Sequence, residues 1–198
     1  MRNLSHAWPG RPLFNGLSFD AHPGLGWIVG DEGCGKSTLL ALLGGALVLQ
    51  GGTCSVAGVS LHEQPDRYRE QVFWIDPQTD AHHALNARAY WSSLERTYPA
   101  FQASHLPMLI DAFSLQDHVE KPLYMLSTGS RRKVWWAAAI ASGAPLVLMD
   151  QPFAALDAPS ARALQDIVAE LAQEGDTCWL MTGHEKPQRG NGQIILEL

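Results

Sequence analysis

Gly30-Asp31-Glu32-Gly33-Cys34-Gly35-Lys36-Ser37-Thr38 decides how the rest of the chain is read. It fits G-x-x-x-x-G-K-[ST], a loop whose glycines let the backbone wrap closely and aim its N–H groups at β- and γ-phosphates. Lys36 would neutralise phosphate charge, and the Ser37 hydroxyl is a hard oxygen donor suited to Mg²⁺. The flanks supply the required context. Leu25-Gly26-Trp27-Ile28-Val29 reads as a short buried strand, and residues 36–43 as a helix whose positive N-terminal end adds to the site. Asp31 and Glu32 are unusual neighbours for a phosphate, so their side chains are expected to face away from it.

Further out, Leu146-Val147-Leu148-Met149-Asp150 is an apolar strand ending in a carboxylate, placed to hold Mg²⁺ through water. Val72-Phe73-Trp74-Ile75, Cys178-Trp179-Leu180-Met181 and Ile194-Ile195-Leu196 read as further strands. Over 159–174, apolar residues Ala161, Leu164, Ile167, Val168 and Leu171 recur at helical spacing, with Pro159 suited to the start and Gly175 to the stop. Strands alternating with helices predict an α/β fold with a mainly parallel sheet covered on both faces, and an antiparallel β portion is expected near the N-terminus. Residues 86–126 break that rhythm, with helices expected over 87–96 and 106–113. The expected organisation is one domain: a nucleotide-binding core of 1–78 and 127–198, with a helical subdomain, 79–126, inserted into it.

Composition narrows the function. The chain has 198 residues, with 14 Lys plus Arg against 20 Asp plus Glu and a net charge of −6, which disfavours gripping nucleic-acid phosphates. Charged residues make up only 17%, and there are seven Trp, so either a partner covers part of the surface or the core is Trp-heavy. Cys34, Cys54 and Cys178 are too few and scattered for a disulfide framework or zinc site, and a reduced, cytosolic compartment is expected. No signal peptide is readable at the start. The longest apolar stretch, 134–149, is interrupted by Ser142, Gly143 and Pro145 and is too short to span a bilayer.

The order of motifs resembles the ATP-binding cassette (ABC) family, specifically the ATPase subunit of ABC transporters, over essentially the whole chain. The resemblance implies roles for residues that spacing alone does not assign. Trp8, in Ala7-Trp8-Pro9-Gly10, stands where an aromatic stacks on adenine. Gln78, in Asp76-Pro77-Gln78, matches the glutamine that reaches the metal and the attacking water. Leu126-Ser127-Thr128-Gly129-Ser130 is similar to the L-S-G-G-Q signature, with Ser127 and Gly129 as phosphate contacts before a helix expected over 131–141. Asp157, in Ala155-Leu156-Asp157, matches the loop that crosses to the partner cassette, and His184 the histidine that contacts the γ-phosphate. Two anion sites in one chain suit a homodimer that sandwiches two ATP molecules. The resemblance further implies a separate transmembrane permease whose coupling helix docks near Gln78. Tyr90, Trp91, Tyr98 and Phe101 are aromatics available there, some of them as subdomain core. The location implied is the cytoplasmic face of the membrane, peripheral through that permease. Fourteen residues follow His184 in this sequence, over which a final strand and no regulatory domain are expected.

The chain departs from the family at the residue after Asp150, where a glutamate usually polarises the attacking water. Gln151 keeps the shape and can hydrogen-bond the water but cannot accept a proton at neutral pH. ATP binding and cassette closure are expected to survive, with hydrolysis impaired. A native slow or regulatory cassette and an engineered Glu→Gln trap both fit, and the intact neighbouring motifs favour the second. A non-hydrolysing clamp and a soluble non-transport ABC protein are the alternative functions. Thr128 and Ser130 also depart from the signature. The basic run Arg131-Arg132-Lys133 is read as serving the signature region or a solvated helix face. His82 and His83 are read as an exposed loop without the further ligands that a metal needs.

Overall fold

An antiparallel hairpin precedes the glycine loop. In the computed structural model, which describes residues 1–185 and 192–198, β1 (Arg2–Trp8) pairs with β2 (Arg11–Leu17), and β3 (Gly24–Val29) leads through the loop into α1 (Lys36–Leu43). Next, β4 (Gly51–Thr53) returns beside β1, so the first sheet runs β2-β1-β4. The short strands β5 (Ser55–Val56) and β6 (Val59–Ser60) pair with each other, and α2 (Pro65–Glu70) and β7 (Val72–Trp74) follow. Helices α3 (Ala87–Leu94), α4 (Leu106–Ala112) and α5 (Thr128–Ala141) come before β8 (Leu146–Met149), α6 (Ala158–Glu174), β9 (Cys178–Gly183) and β10 (Gln193–Glu197). The α/β class with its antiparallel N-terminal portion is therefore as the sequence indicates. The pieces β4, β5, β6 and α2 carried no periodic signal, being six residues or fewer each.

Five parallel strands, in the order β10-β3-β9-β8-β7, form the central sheet. Period-two alternation splits their side chains between two apolar layers. Trp27, Val29, Phe73, Val147, Met149, Trp179 and Met181 face one layer, packed with residues of α3, α4, α5 and α6. Ile28, Val72, Leu146, Leu148, Cys178 and Leu180 face the other, with Leu39, Leu40, Leu42 and Leu43 of α1, Tyr68 of α2, and Leu4 and Phe14 of the hairpin. Both faces are covered, which is why these strands read as continuous apolar runs.

Helix ends follow local chemistry. The Asn86 side chain accepts from Ala89 N at 2.8 Å and starts α3, which buries Ala87, Tyr90 and Trp91. Asp157 caps α6 by accepting from Ser160 N at 2.9 Å, Pro159 sits in its first turn, and Gly175 ends it. The 79–126 segment is sewn to the core by buried hydrogen bonds. Tyr98 Oη donates to Val72 O at 3.1 Å, and Trp91 Nε1 donates to Val134 O at 3.0 Å. Tyr90, Trp91 and Tyr98 are thus core, and Phe101 packs partly buried against it, so of the two roles open to these aromatics the structure places them in the core. The Trp-heavy core is likewise the right account of composition: Trp27, Trp91, Trp135, Trp136 and Trp179 are buried, and Trp74 is half-buried.

Candidate functional site

The loop after β3 is shaped by close approaches that exclude side chains. Gly35, the N-cap of α1, has φ +112°, a conformation that L side chains rarely adopt. A Cβ on it would stand 3.0 Å from both Leu13 Cδ1 and Phe14 Cζ of β2. One on Gly30 would lie 2.5 Å from Leu198 O and 2.9 Å from Cys34 Sγ. Lys36 is buried, and its ammonium donates to Gly30 O and Asp31 O, each at 2.7 Å, drawing the loop around the cation. Asp31 and Glu32 are exposed. Arg11 donates to Gly33 O at 3.1 Å and fastens the hairpin to the loop. Trp8, at the end of β1, is 46% exposed and stands edge-on to the buried His6 ring at 5.2 Å. It lines a cleft with Gly33, Gly35, Lys36, Ser37 and Thr38. An exposed indole beside a glycine cradle is a fit surface for a base attached to phosphates.

At the head of α1, Ser37 Oγ donates to Asp150 Oδ2 at 2.5 Å. The other carboxylate oxygen accepts from Thr182 Oγ1 at 2.5 Å, and Thr182 in turn accepts from Gln151 N at 3.0 Å. Parallel order explains the meeting, since β9 lies between β3 and β8 and ends on Thr182 and Gly183. A cleft of about 710 Å³ opens here, bounded by Ser37, Thr38, Gln78, Asp150, Gln151 and Trp8 among others. The Gln78 loop is turned by the Asp76 side chain, whose Oδ1 accepts from Gln78 N at 2.9 Å. Hydroxyl and carboxylate oxygens side by side suit Mg²⁺, which prefers hard oxygen ligands and keeps several waters. His184, just past β9, is exposed and borders a separate cleft with Gly30 and Asp31.

The signature-like residues stand apart from these clefts. Ser127 and Gly129 line neither wall of the glycine-loop site. Helix α5 starts at Thr128, earlier than the expected 131, because the Ser127 side chain caps it by accepting from Ser130 N at 3.1 Å. Gly129 therefore sits in the first turn, where a Cβ would run into the Ala155 carbonyl oxygen. Lys133 Nζ lies 2.7 Å from Asp157 Oδ2. That hydrogen bond, with those from Ser160, holds the Asp157 carboxyl well below the usual carboxylate range.

Sequence reasoning missed the role of three residues. Arg132 Nη1 donates to Gln151 O at 2.7 Å and to Asp150 O at 3.3 Å, and Trp136 Nε1 donates to Pro152 O at 3.2 Å. Burial pushes the Arg132 pKa down and Asp150 opposes it. Thr182 ties Gln151 to Asp150 from the other side. The basic run is thus engaged internally: Arg131 Nη1 meets His83 Nε2 at 2.7 Å, while His83 Nδ1 meets Asp80 Oδ1 at 3.0 Å. With Nε2 accepting from the guanidinium, the proton is on Nδ1, directed at Asp80. His82 packs against Tyr90 with ring centroids 5.1 Å apart, so these two histidines are anchored, not a free loop. Among the described residues there is no group of three or more His, Cys, Asp or Glu able to hold a metal ion.

The covered parallel sheet, the glycine loop feeding α1 and the carboxylate at the end of β8 define a phosphate-loop ATPase cassette. The chain belongs to the ABC transporter family, whose sequence profile matches residues 14–154. It is similar to the cytochrome c biogenesis ATP-binding export protein CcmA of Salmonella typhi, with 32% identity over 95% of this chain and 89% of that protein. The taurine import ATP-binding protein TauB of Roseobacter denitrificans is 32% identical over 78% of this chain and 58% of its own length. Among solved structures, an ATP-binding subunit of an ABC transporter superposes with a TM-score of 0.83, at 24% identity, over 92% of this chain and 78% of that one. A dimeric ATP-binding cassette in a post-hydrolysis state, bound to ADP and Pi, gives 0.75 at 19% identity, over 93% and 87% of the two chains.

Proposed function

We propose that this chain binds Mg-ATP at the glycine loop, closes on a second copy of itself around two nucleotides, and drives a separate transmembrane permease. The observation that carries the reading is the meeting of Lys36, Ser37 and Asp150 beside an exposed Trp8. Loop N–H groups from Gly30 to Thr38 and the Lys36 ammonium hold the β- and γ-phosphates, while the indole of Trp8 supports the base. Ser37, Asp150 and Gln78 hold Mg²⁺, which supplies charge neutralisation on the phosphate oxygens. His184 reaches the γ-phosphate from the loop after β9. Ser127 and Gly129 contact the nucleotide held by the other cassette, in keeping with their position away from the glycine-loop clefts, and Asp157 lies at the seam between the two. Gln151 holds the attacking water but takes no proton from it, so hydrolysis is slow.

Equilibrium binding of a fluorescent ATP analogue with Mg²⁺ tests the reading. Micromolar affinity is expected for the parent chain and a loss of about 100-fold or more for Lys36→Ala. No saturable nucleotide binding by the parent would refute it.

Residues 1–78 and 127–198 form the nucleotide-binding core in this scheme, and 79–126 the helical subdomain that faces the permease. With Tyr90, Trp91 and Tyr98 buried, the apolar surface for that contact is Tyr124 and Met125, 63% and 60% exposed just before the signature turn. No helix of the described residues is long and apolar enough to cross a membrane. In this scheme the chain sits at the cytoplasmic membrane face through its permease. Its relatives include both an export and an import protein, in line with cargo being selected by the membrane subunit. Isolation from native membranes is expected to bring down an integral membrane protein, and Tyr124→Ala with Met125→Ser to release it. Recovery of the chain with no membrane protein attached would contradict this part.

A further inference from the structure

We infer that Arg132 and Trp136 are positioning residues for residue 151, and that through them α5 links the signature turn of this cassette to its own hydrolytic peptide. The inference rests on the ATP-binding reading above. Two side chains one helical turn apart, at i and i+4, grip three consecutive carbonyls. Arg132 Nη1 takes Asp150 O and Gln151 O, and Trp136 Nε1 takes Pro152 O. Thr182 Oγ1 accepts from Gln151 N on the opposite side.

Between these holds Gln151 has φ +45°, a left-handed conformation uncommon for a residue with a Cβ. Such a backbone persists only where its surroundings over-determine it, and the direction of the 151 side chain follows from it. Releasing the carbonyls lets φ relax and swings the side chain away from the water it must hold. The same helix reaches the segment twice more, through the close approach of Gly129 to Ala155 O and the Lys133–Asp157 pair at 2.7 Å. Trp136 is fully buried, so α5 cannot shift without moving residues 150–157. Since Ser127 and Gly129 at its N-terminus meet the nucleotide of the partner cassette, seating that nucleotide sets residue 151 at the other site. The two sites of a closed pair then fire together.

The test uses the full chain in a Gln151→Glu background, where turnover is expected to be measurable, adding Arg132→Ala, Arg132→Lys or Trp136→Phe. Rates are expressed per nucleotide-binding site counted by equilibrium binding, which removes any loss of folded protein. Arg132→Ala is expected to lower kcat about tenfold or more with KM changed less than about twofold, and to bring the Hill coefficient toward one. Arg132→Lys, which keeps a cationic donor, is expected to recover part of the rate. Amide hydrogen exchange over 150–157 is expected to quicken in Arg132→Ala and Trp136→Phe while β3 and α1 stay unchanged. Unaltered exchange over 150–157, or an unaltered kcat per site, would overturn the inference. A chain that binds no Mg-ATP in any form would refute the functional reading instead, and the exchange measurement would still decide whether α5 holds the peptide.

Discussion

The Ser37 hydroxyl donates to the Asp150 carboxylate at 2.5 Å, joining the first turn of α1 to the end of β8 across 113 residues of sequence. In the proposed function these two oxygens hold Mg²⁺, so Asp150→Asn tests whether the carboxylate charge or only its shape matters. Asparagine keeps an acceptor for Ser37 or Thr182 but carries no charge. Asp150→Asn is expected to leave the melting temperature within a few degrees of the parent while weakening Mg-dependent ATP binding by about tenfold or more. Titration of ATP binding against Mg²⁺ checks this, and an unchanged metal dependence would count against Asp150 as a ligand.

In the proposed function residue 151 governs the chemical step and leaves nucleotide binding to the glycine loop. Gln151→Glu restores a group able to take a proton and is expected to raise turnover by about tenfold or more, with ATP affinity nearly unchanged. Steady-state phosphate release from the two forms decides it. Equal rates would remove the amide as the cause of slow hydrolysis.

Cys34 is the accessible thiol. It lies half-exposed in the glycine loop, whereas burial raises the pKa of Cys54, and that of Cys178 to about 11, keeping both unreactive. A bulky maleimide is expected to modify Cys34 alone, abolish nucleotide binding, and be blocked by prior ATP. Mass spectrometry locates the adduct, and quantitative modification of Cys34 with full ATP affinity would contradict the loop geometry.

Asp157 predicts a pH dependence with a definite sign. Its folded carboxyl is held low first by Lys133 and then by Ser160, so its contribution to stability is present above the unfolded carboxylate pKa of about 3.9 and is lost as pH falls below it. The group is solvent-exposed and screened, which keeps the effect small. Asp157→Asn keeps an N-cap for α6 but removes the Lys133 pair. The parent is expected to melt above this variant at pH 6, with the gap constant down to about pH 5 and narrowing progressively as pH falls below the unfolded value of about 3.9. A gap that widens on acidification would refute the assignment.

What the sequence disclosed and what it withheld divide along range of interaction. The motif from Gly30 to Thr38 is contiguous, and its strand and helix lie directly against it, so the loop was legible outright. Strands β8 and β9 were legible because burial on both faces makes them unbroken apolar runs. Thr182 was not, since its role depends on β9 lying between β3 and β8, and strand order is a long-range fact. Arg132 carried a weak trace in its basic run, but only the i, i+4 partnership with Trp136 across three carbonyls gives it meaning. The 79–126 aromatics stayed open between partner contact and core. Buried Tyr and Trp with a hydrogen-bonded polar tip look the same in sequence as interface aromatics.

In the proposed function this chain is half of an ATP site and closes on a second copy when nucleotide fills it. Light scattering of the parent chain with and without saturating Mg-ATP measures that directly, since Gln151 is expected to prolong the closed state. A monomer is expected without nucleotide or with Mg-ADP, and a dimer of twice the mass with Mg-ATP, lost in Lys36→Ala. A chain that stays monomeric with its nucleotide site demonstrably filled would contradict it.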